Sequence, residues 1–217
     1  MHLFTLDDPR PIAAAAPYTY FLPQAERLAA IQSGDSVKLI FRPTASGTKW
    51  DAERMWVQVR AVDGERLSGV LDNDPDDIPG LEVGAVVSFC SWHVIAIQFA
   101  DDRAEPPPYD NSREYWERCM VDSGVLDGSL QVDYLYREEP ALSEPDEYPD
   151  SGWRIRGDMR ASTDEEVDGR DPAYVPVGAV LNKDDSWLHL IDEPIGSAFR
   201  RDFASGTYVR VDPNYTA

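Results

Sequence analysis

Cys90 and His93 stand three residues apart, and a thiolate–imidazole pair would make a nucleophile. That chemistry needs both side chains on one face. Residues three apart on a strand point to opposite faces, so only a turn at Ser91 would bring them together. Asp72-Asn73-Asp74-Pro75-Asp76-Asp77 offers oxygen ligands for calcium. An EF-hand loop starting at Asp72 requires Gly at 77 and Glu at 83, whereas the chain has Asp77 and Val83. The run reads instead as a turn whose Asp and Asn side chains bond nearby backbone. Asp150-Ser151-Gly152 has the outline of a serine-hydrolase motif but lacks the nucleophile elbow and the second glycine. Ser151 reads as a turn residue ahead of a strand that buries Trp153. Glu138, Glu139, Glu144, Asp146, Glu147 and Asp150 are acids without a neighbouring base, and such a run reads as a solvated loop rather than as tuned acid–base pairs. With histidine only at 2, 93 and 189, no Cys/His zinc site is spelled out. Gly64, Gly69, Gly80 and Gly84 are scattered turn glycines, not a phosphate loop. These residues point away from an enzyme and predict neither cofactor nor metal.

The charge points to a kind of partner. The 217 residues carry a formal net charge of -20. Residues 1–105 hold 9 basic and 16 acidic side chains, net -7; residues 106–217 hold 11 and 24, net -13. A field of this sign repels phosphate backbones and anionic lipid and attracts basic proteins. Nucleic acid and membrane are therefore not expected partners. The two cysteines, Cys90 and Cys119, make no disulfide framework and read as reduced, buried thiols. Asp7, Asp8, Pro9 and Pro11 interrupt any leader-like apolar run, no basic segment precedes it, and no apolar stretch nears the roughly 20 residues of a membrane span. A cytoplasmic protein is expected.

The elements that must position these residues fall into two groups. Residues 1–17 read as irregular. Pro23 to Ile31 reads as a helix opened by proline. Strands are expected at Val37–Phe41, Met55–Val62, Leu67–Leu71, Val86–Phe89 and Trp92–Phe99, with Asp63-Gly64 as a hairpin turn. Together they predict a small, strongly bent sheet or partial barrel. Pro106-Pro107-Pro108 sets a stiff linker at 105–111, so the domains are expected at 1–104 and 112–217. In the second domain a helix is expected from Ser112 to about Val121, where it would carry Cys119. Strands follow at Leu130–Tyr136 and Trp153–Arg156, a helical turn or loop at Ser162–Val167, a strand at Val175–Asn182, a helix from Asp184 to Leu190 and a strand at Thr207–Val211. The fold class expected is α+β: two small domains, each a bent, mostly antiparallel sheet with one or two helices.

Three separated motifs mark the second half: Tyr136-Arg137-Glu138, Asp150-Ser151-Gly152-Trp153 and Gly157-Asp158. They are joined by Val180-Leu181-Asn182, Leu190-Ile191-Asp192 and Pro194-Ile195-Gly196-Ser197-Ala198-Phe199-Arg200-Arg201. On these residues the stretch from about 118 to 211 resembles the bacterial immunity protein 33 family, also known as domain of unknown function 2185. Family sequences often follow Gly-Asp with a Glu and an acidic, aromatic-containing helix; here Met159 and Arg160 follow. In the first half, Glu53-Arg54-Met55-Trp56-Val57, Gly69-Val70-Leu71-Asp72-Asn73-Asp74-Pro75, Leu81 to Phe89 and His93-Val94-Ile95 resemble domain of unknown function 2314. Neither resemblance brings catalytic residues.

The first resemblance implies a protein that binds and neutralises a toxin. With the charge, the expected partner is a basic cognate toxin acting in the cytoplasm; the oligomeric state stays open. An acidic regulatory or scaffold module for another basic protein is the alternative. Arg137, Asp150, Ser151, Gly152, Trp153 and Phe199 are the residues of the structural motif. The expected contact surface is Glu144, Asp146, Glu147, Tyr148 and Asp150 with Asp164, Glu165 and Glu166, because residues 138–150 hold six acids and no base.

Overall fold

The computed structural model describes residues 3–46, 48–101, 113–140 and 148–212, without the side chain of Asp168. The chain divides into two units: Met1–Ala15 with Tyr20–Ser112, and Ala16–Thr19 with Arg113–Ala217. The proline-rich segment 105–111 lies outside the described residues.

The first unit is built on β1 (Phe4–Leu6), β2 (Ser36–Pro43), β3 (Glu53–Asp63), β4 (Arg66–Leu71), β5 (Val86–Cys90) and β6 (Ala96–Gln98), with short helices α1 (Arg10–Ala15) and α2 (Ala25–Ala29). The sheet order is β1-β2-β3-β4-β5, with β6 also paired to β2, and every pairing is antiparallel. Along β3 the buried Met55, Val57 and Val59 alternate with less buried Trp56, Gln58 and Arg60, so one face makes the core and the sheet can bend over it. Gly64 supplies the positive φ, 59°, that the Asp63-Gly64 hairpin requires. Leu39, Phe41, Leu71 and Val87 fill the interior. Two expectations fail here. β1 and α1 form where irregular chain was expected; β1 exists because β2 offers it an edge, a partner that local sequence cannot show. The expected strand Trp92–Phe99 is instead a 3-10 turn, Ser91–His93, followed by the shorter β6.

The second unit contains β7 (Arg118–Asp122), α3 (Ser123–Leu126), β8 (Val132–Arg137), β9 (Asp150–Gly157), α4 (Asp164–Asp168), β10 (Pro172–Pro176), α5 (Val177–Leu181), β11 (Ala198–Asp202) and β12 (Thr207–Arg210). Its sheet runs β10-β7-β9-β8-β11-β12, antiparallel except for the parallel pair β7–β9. Cys119 and Val121 face a core made by Leu135, Trp153, Ile155, Val180 and Trp187. Three expectations are corrected. The described end of the Ser112–Val121 helix is strand β7, so Cys119 lies in a central strand. The expected strand Val175–Asn182 is the end of β10 followed by helix α5. The expected helix from Asp184 to Leu190 reduces to a 3-10 turn at Leu188–Leu190. The fold class is α+β, two small units each with its own bent, mostly antiparallel sheet.

Candidate functional site

The second-half motifs converge on the junction of β8 and β9. Arg137 ends β8 opposite Trp153. Its Nε donates to Ser151 O at 3.0 Å and its Nη1 to Glu193 O at 2.8 Å, and its guanidinium lies 5.7 Å from the Trp153 ring centre. Trp153 is fully buried, 5.7 Å from Trp187 in an edge-on arrangement, and its Nε1 donates to Ile191 O. Arg137 and Trp153 thus fasten the 191–193 segment to the sheet through its carbonyl oxygens. Arg113, Tyr115, Arg137, Ser151, Trp153 and Ile191 border a small cleft of about 160 Å³.

Asp150-Ser151-Gly152 forms no turn before the strand. It lies inside β9 as an irregularity: β7 advances from Arg118 to Met120 while β9 advances from Asp150 to Arg154. The Ser151 hydroxyl donates to Arg118 O at 2.7 Å, so its proton is committed to backbone. Gly152 has φ +81°, and a Cβ there would stand 2.2 Å from Glu138 O. Only glycine permits both the backbone angle and that approach. Asp150 accepts two bonds from Arg154, Nη1 at 2.9 Å and Nη2 at 2.7 Å, and one from Gly152 N. Arg154 also pairs with Glu138 at 2.6 Å. These contacts hold the guanidinium pKa above its ordinary value, the bond to Asp150 contributing most.

Two further buried acids repeat the theme. Asp122 pairs with Arg156 and Arg170, each at 3.2 Å, and accepts from Gly157 N. Asp133 lies 3.6 Å from Arg200 and accepts from Met159 N. Asp184 pairs with Arg201 at 2.9 Å. Phe199 packs in the core beneath the Arg210 guanidinium. Asn182 accepts from Tyr18 N at 2.9 Å and donates to Thr19 Oγ1 at 2.7 Å, holding the 16–19 segment in this unit.

Five residues of the expected contact surface fall among the described ones. Glu144, Asp146 and Glu147 lie outside the described residues. Asp150 is corrected: it is buried and bound to Arg154, because the strand begins there and not after the loop. Tyr148 is half-buried, its ring 6.0 Å from Trp116. Asp164, Glu165 and Glu166 form the exposed first turn of α4, where Glu166 closes a capping box with Thr163. α4 is held to β9 by a bond from Arg156 Nη2 to Val167 O, at the end of the strand away from Asp150. Eight residues of strand put the two ends about 23 Å apart.

In the first unit, the 3-10 turn does what a straight strand could not and brings His93 back to Cys90. The contact is to backbone: Nδ1 lies 3.0 Å from Cys90 N, and the ring stacks on Trp92 at 3.7 Å. Burial lowers the His93 pKa. The 72–77 run is bonded to the 50–56 segment and not only to its own neighbours in sequence. Asn73 Oδ1 accepts from Trp56 N, Asp77 Oδ2 from Trp50 N, Asp76 Oδ2 from Trp50 Nε1, and Glu53 accepts from the N–H groups of Asp76 and Asp77. Among the described residues no three His, Cys, Asp or Glu side chains group as a metal site. No described helix is long and apolar enough to cross a membrane.

The second unit is thus a mixed sheet whose motif residues bond its strand ends to the segments that flank them. Residues 119–212 match the family model described as immunity protein Imm33 domain. Residues 13–103 match a second, described as an uncharacterized protein conserved in bacteria (DUF2314). Both resemblances read from the sequence are thereby shown, each on its own half. No curated protein and no solved structure matches the chain. The first match supports a role in toxin immunity in general. The sequence reading missed the buried Asp–Arg pairs, although the alternation Trp153-Arg154-Ile155-Arg156 carried the signal: two arginines on the face opposite two core residues.

Proposed function

We propose that this chain is a non-catalytic cytoplasmic immunity protein that binds a cognate basic toxin and blocks it. The immunity-domain match over 119–212 carries this reading. The motif residues support it chemically, since Arg137, Ser151 and Trp153 spend their polar atoms on backbone carbonyls and leave no assembled nucleophile or base. The net charge of -20 favours a basic partner and speeds its encounter. Because α4 lies at the far end of β9, the contact centres on the 138–148 end, where Glu138, Glu139 and Tyr148 flank Glu144, Asp146 and Glu147 in sequence.

The test is rescue. The toxin encoded beside this gene in its native host is expressed with and without the chain, and growth is followed. Arrest relieved by the chain, together with a purified complex of defined stoichiometry, is the expected result; arrest that the chain leaves untouched overturns the reading. Exchanging Glu144, Asp146 and Glu147 for Lys then addresses the surface. A slower association rate with a weaker salt dependence is expected. An unchanged rate moves the contact elsewhere on the chain.

A further inference from the structure

β1 and β5 stand at the two ends of the first unit's sheet order and do not pair with each other among the described residues. Between them lies a slot of about 550 Å³, with Leu3–Leu6 on one wall, Val86 and Ser88 on the other and His93 at its end. Four antiparallel pairings separate the two strands, β1 to β2, β2 to β3, β3 to β4 and β4 to β5. An even number of reversals leaves β1 and β5 running in the same direction.

Their main-chain groups are turned towards the slot. Leu71 N donates to Ala85 O and Ser91 N to Glu65 O. In an antiparallel ladder the bonded residues alternate, so Val87 and Phe89 face β4 while the N–H and C=O groups of Val86 and Ser88 face the other way. On the opposite wall Asp7 N donates to Ile40 O and Thr44 N to Leu3 O, which turns Thr5 towards β2 and leaves the groups of Phe4 and Leu6 directed outward. Natural sheets blunt such edges with charge or proline. Phe4-Thr5-Leu6 and Val86-Val87-Ser88-Phe89-Cys90 contain neither, and Val86 is 77% exposed.

We propose that this slot takes up one extended, net basic segment of another protein, which runs antiparallel to β1 and β5 at once and completes the sheet. The two rows of main-chain donors and acceptors call for a strand and not for a compact ligand. The net charge of -7 on residues 1–105 favours a basic segment and opposes a second copy of the same chain. The proposal stands apart from the toxin reading, since the segment can come from any protein.

The probe is a random twelve-residue peptide library displayed on phage and selected on the full chain. Enriched peptides should be net positive and alternate apolar with polar residues. They should protect the amides of Val86, Ser88, Phe4 and Leu6 from hydrogen exchange. Val86→Pro and Ser88→Pro remove donors that face the slot and leave the bonds to β4 in place; each should weaken peptide binding at least tenfold with an unchanged melting profile. If a proline variant does not fold, amide protection in the unaltered chain decides. Absence of enriched peptides, binding indifferent to both prolines, protection elsewhere, or self-association of the chain through these amides overturns the proposal.

Discussion

The two units bury carboxylates in different company. In the first, Asp35 is fully buried and accepts from the main-chain N–H groups of Gln32 and Ala100. In the second, Asp122, Asp133 and Asp150 are buried beside Arg156 and Arg170, Arg200, and Arg154 respectively. One unit uses a carboxylate to hold a loop; the other uses ion pairs to tie strands and their flanking segments together. Such pairs add little over a well-packed apolar core, yet removing one partner strands the other charge. The second unit is thus the one in which single polar substitutions should be most damaging, and much of its acidity is structural.

The sharpest break in that comparison is Trp153→Ala. Trp153 is fully buried and contacts Trp187, so the loss is expected at about 3–5 kcal/mol. Amide exchange should show the second unit open while the core amides of Val57 and Leu39 in the first stay protected. Loss of protection in both units would mean that they unfold as one.

Gly152→Ala comes next. The left-handed backbone costs about 1–2 kcal/mol for any other residue, and the contact with Glu138 O adds about 1–3 kcal/mol of overpacking. Gly69 in the first unit is its control: a Cβ there meets Gln58 O at 2.4 Å but no positive φ is required. Gly69→Ala should therefore cost less in a denaturant titration. Equal costs would show that the clash alone decides and that the backbone angle at 152 matters little.

Asp122→Ala against Asp35→Asn measures the buried acids themselves. The first strands two arginines and is expected to cost about 2–3 kcal/mol, below the full buried-pair value because Arg156 is a third exposed. The second keeps one of the two acceptors at the Asp35 site but sets an amide NH2 against the other main-chain N–H, and should cost about 1–3 kcal/mol. A larger loss for Asp35→Asn would reverse the contrast between the units.

What the sequence disclosed follows the same division. β3, β4 and their hairpin were legible because their alternation and Asp63-Gly64 are local signals. Burial of Trp153 was legible from its place among alternating residues. β7 was not, because Ser112 and Glu114 suggested a helix start and its strand partner β9 is remote in sequence. Val175–Asn182 is one apolar run, and such a run does not distinguish strand from buried helix; the structure divides it at Pro176. The contact surface was read from acid density alone. Density does not separate exposed acids from Asp150, whose partner Arg154 lies four residues away on the same strand.

The mildest probe of the contrast is acid. In the second unit Asp158 is held below the ordinary carboxylate range by its bonds with Arg160, and Asp192 by Arg113. Asp184 is raised by burial, but bonds from Ser186 and Val132 and the charge of Arg201 together outweigh this and leave it lowered. In the first unit Asp8 is lowered to about 2 by Arg10, a pair open to solvent and hence screened, as is the Arg113–Asp192 pair of the second, so the half-buried Asp184 carries the contrast. A carboxylate whose pKa is lower folded than unfolded stabilises the fold above the unfolded value, here near 3.8, and that contribution is lost as pH falls through the folded value. Stability should therefore be flat in these groups from pH 7 to about 5 and decline below about 4, more steeply in the second unit. Exchange or urea titrations that follow Val57 and Ile155 separately at pH 7, 5, 4 and 3 read the two slopes. A first unit that fails earlier on acidification would mean that the ion pairs of the second are too well solvated to stabilise it, and that its apolar core alone holds it together.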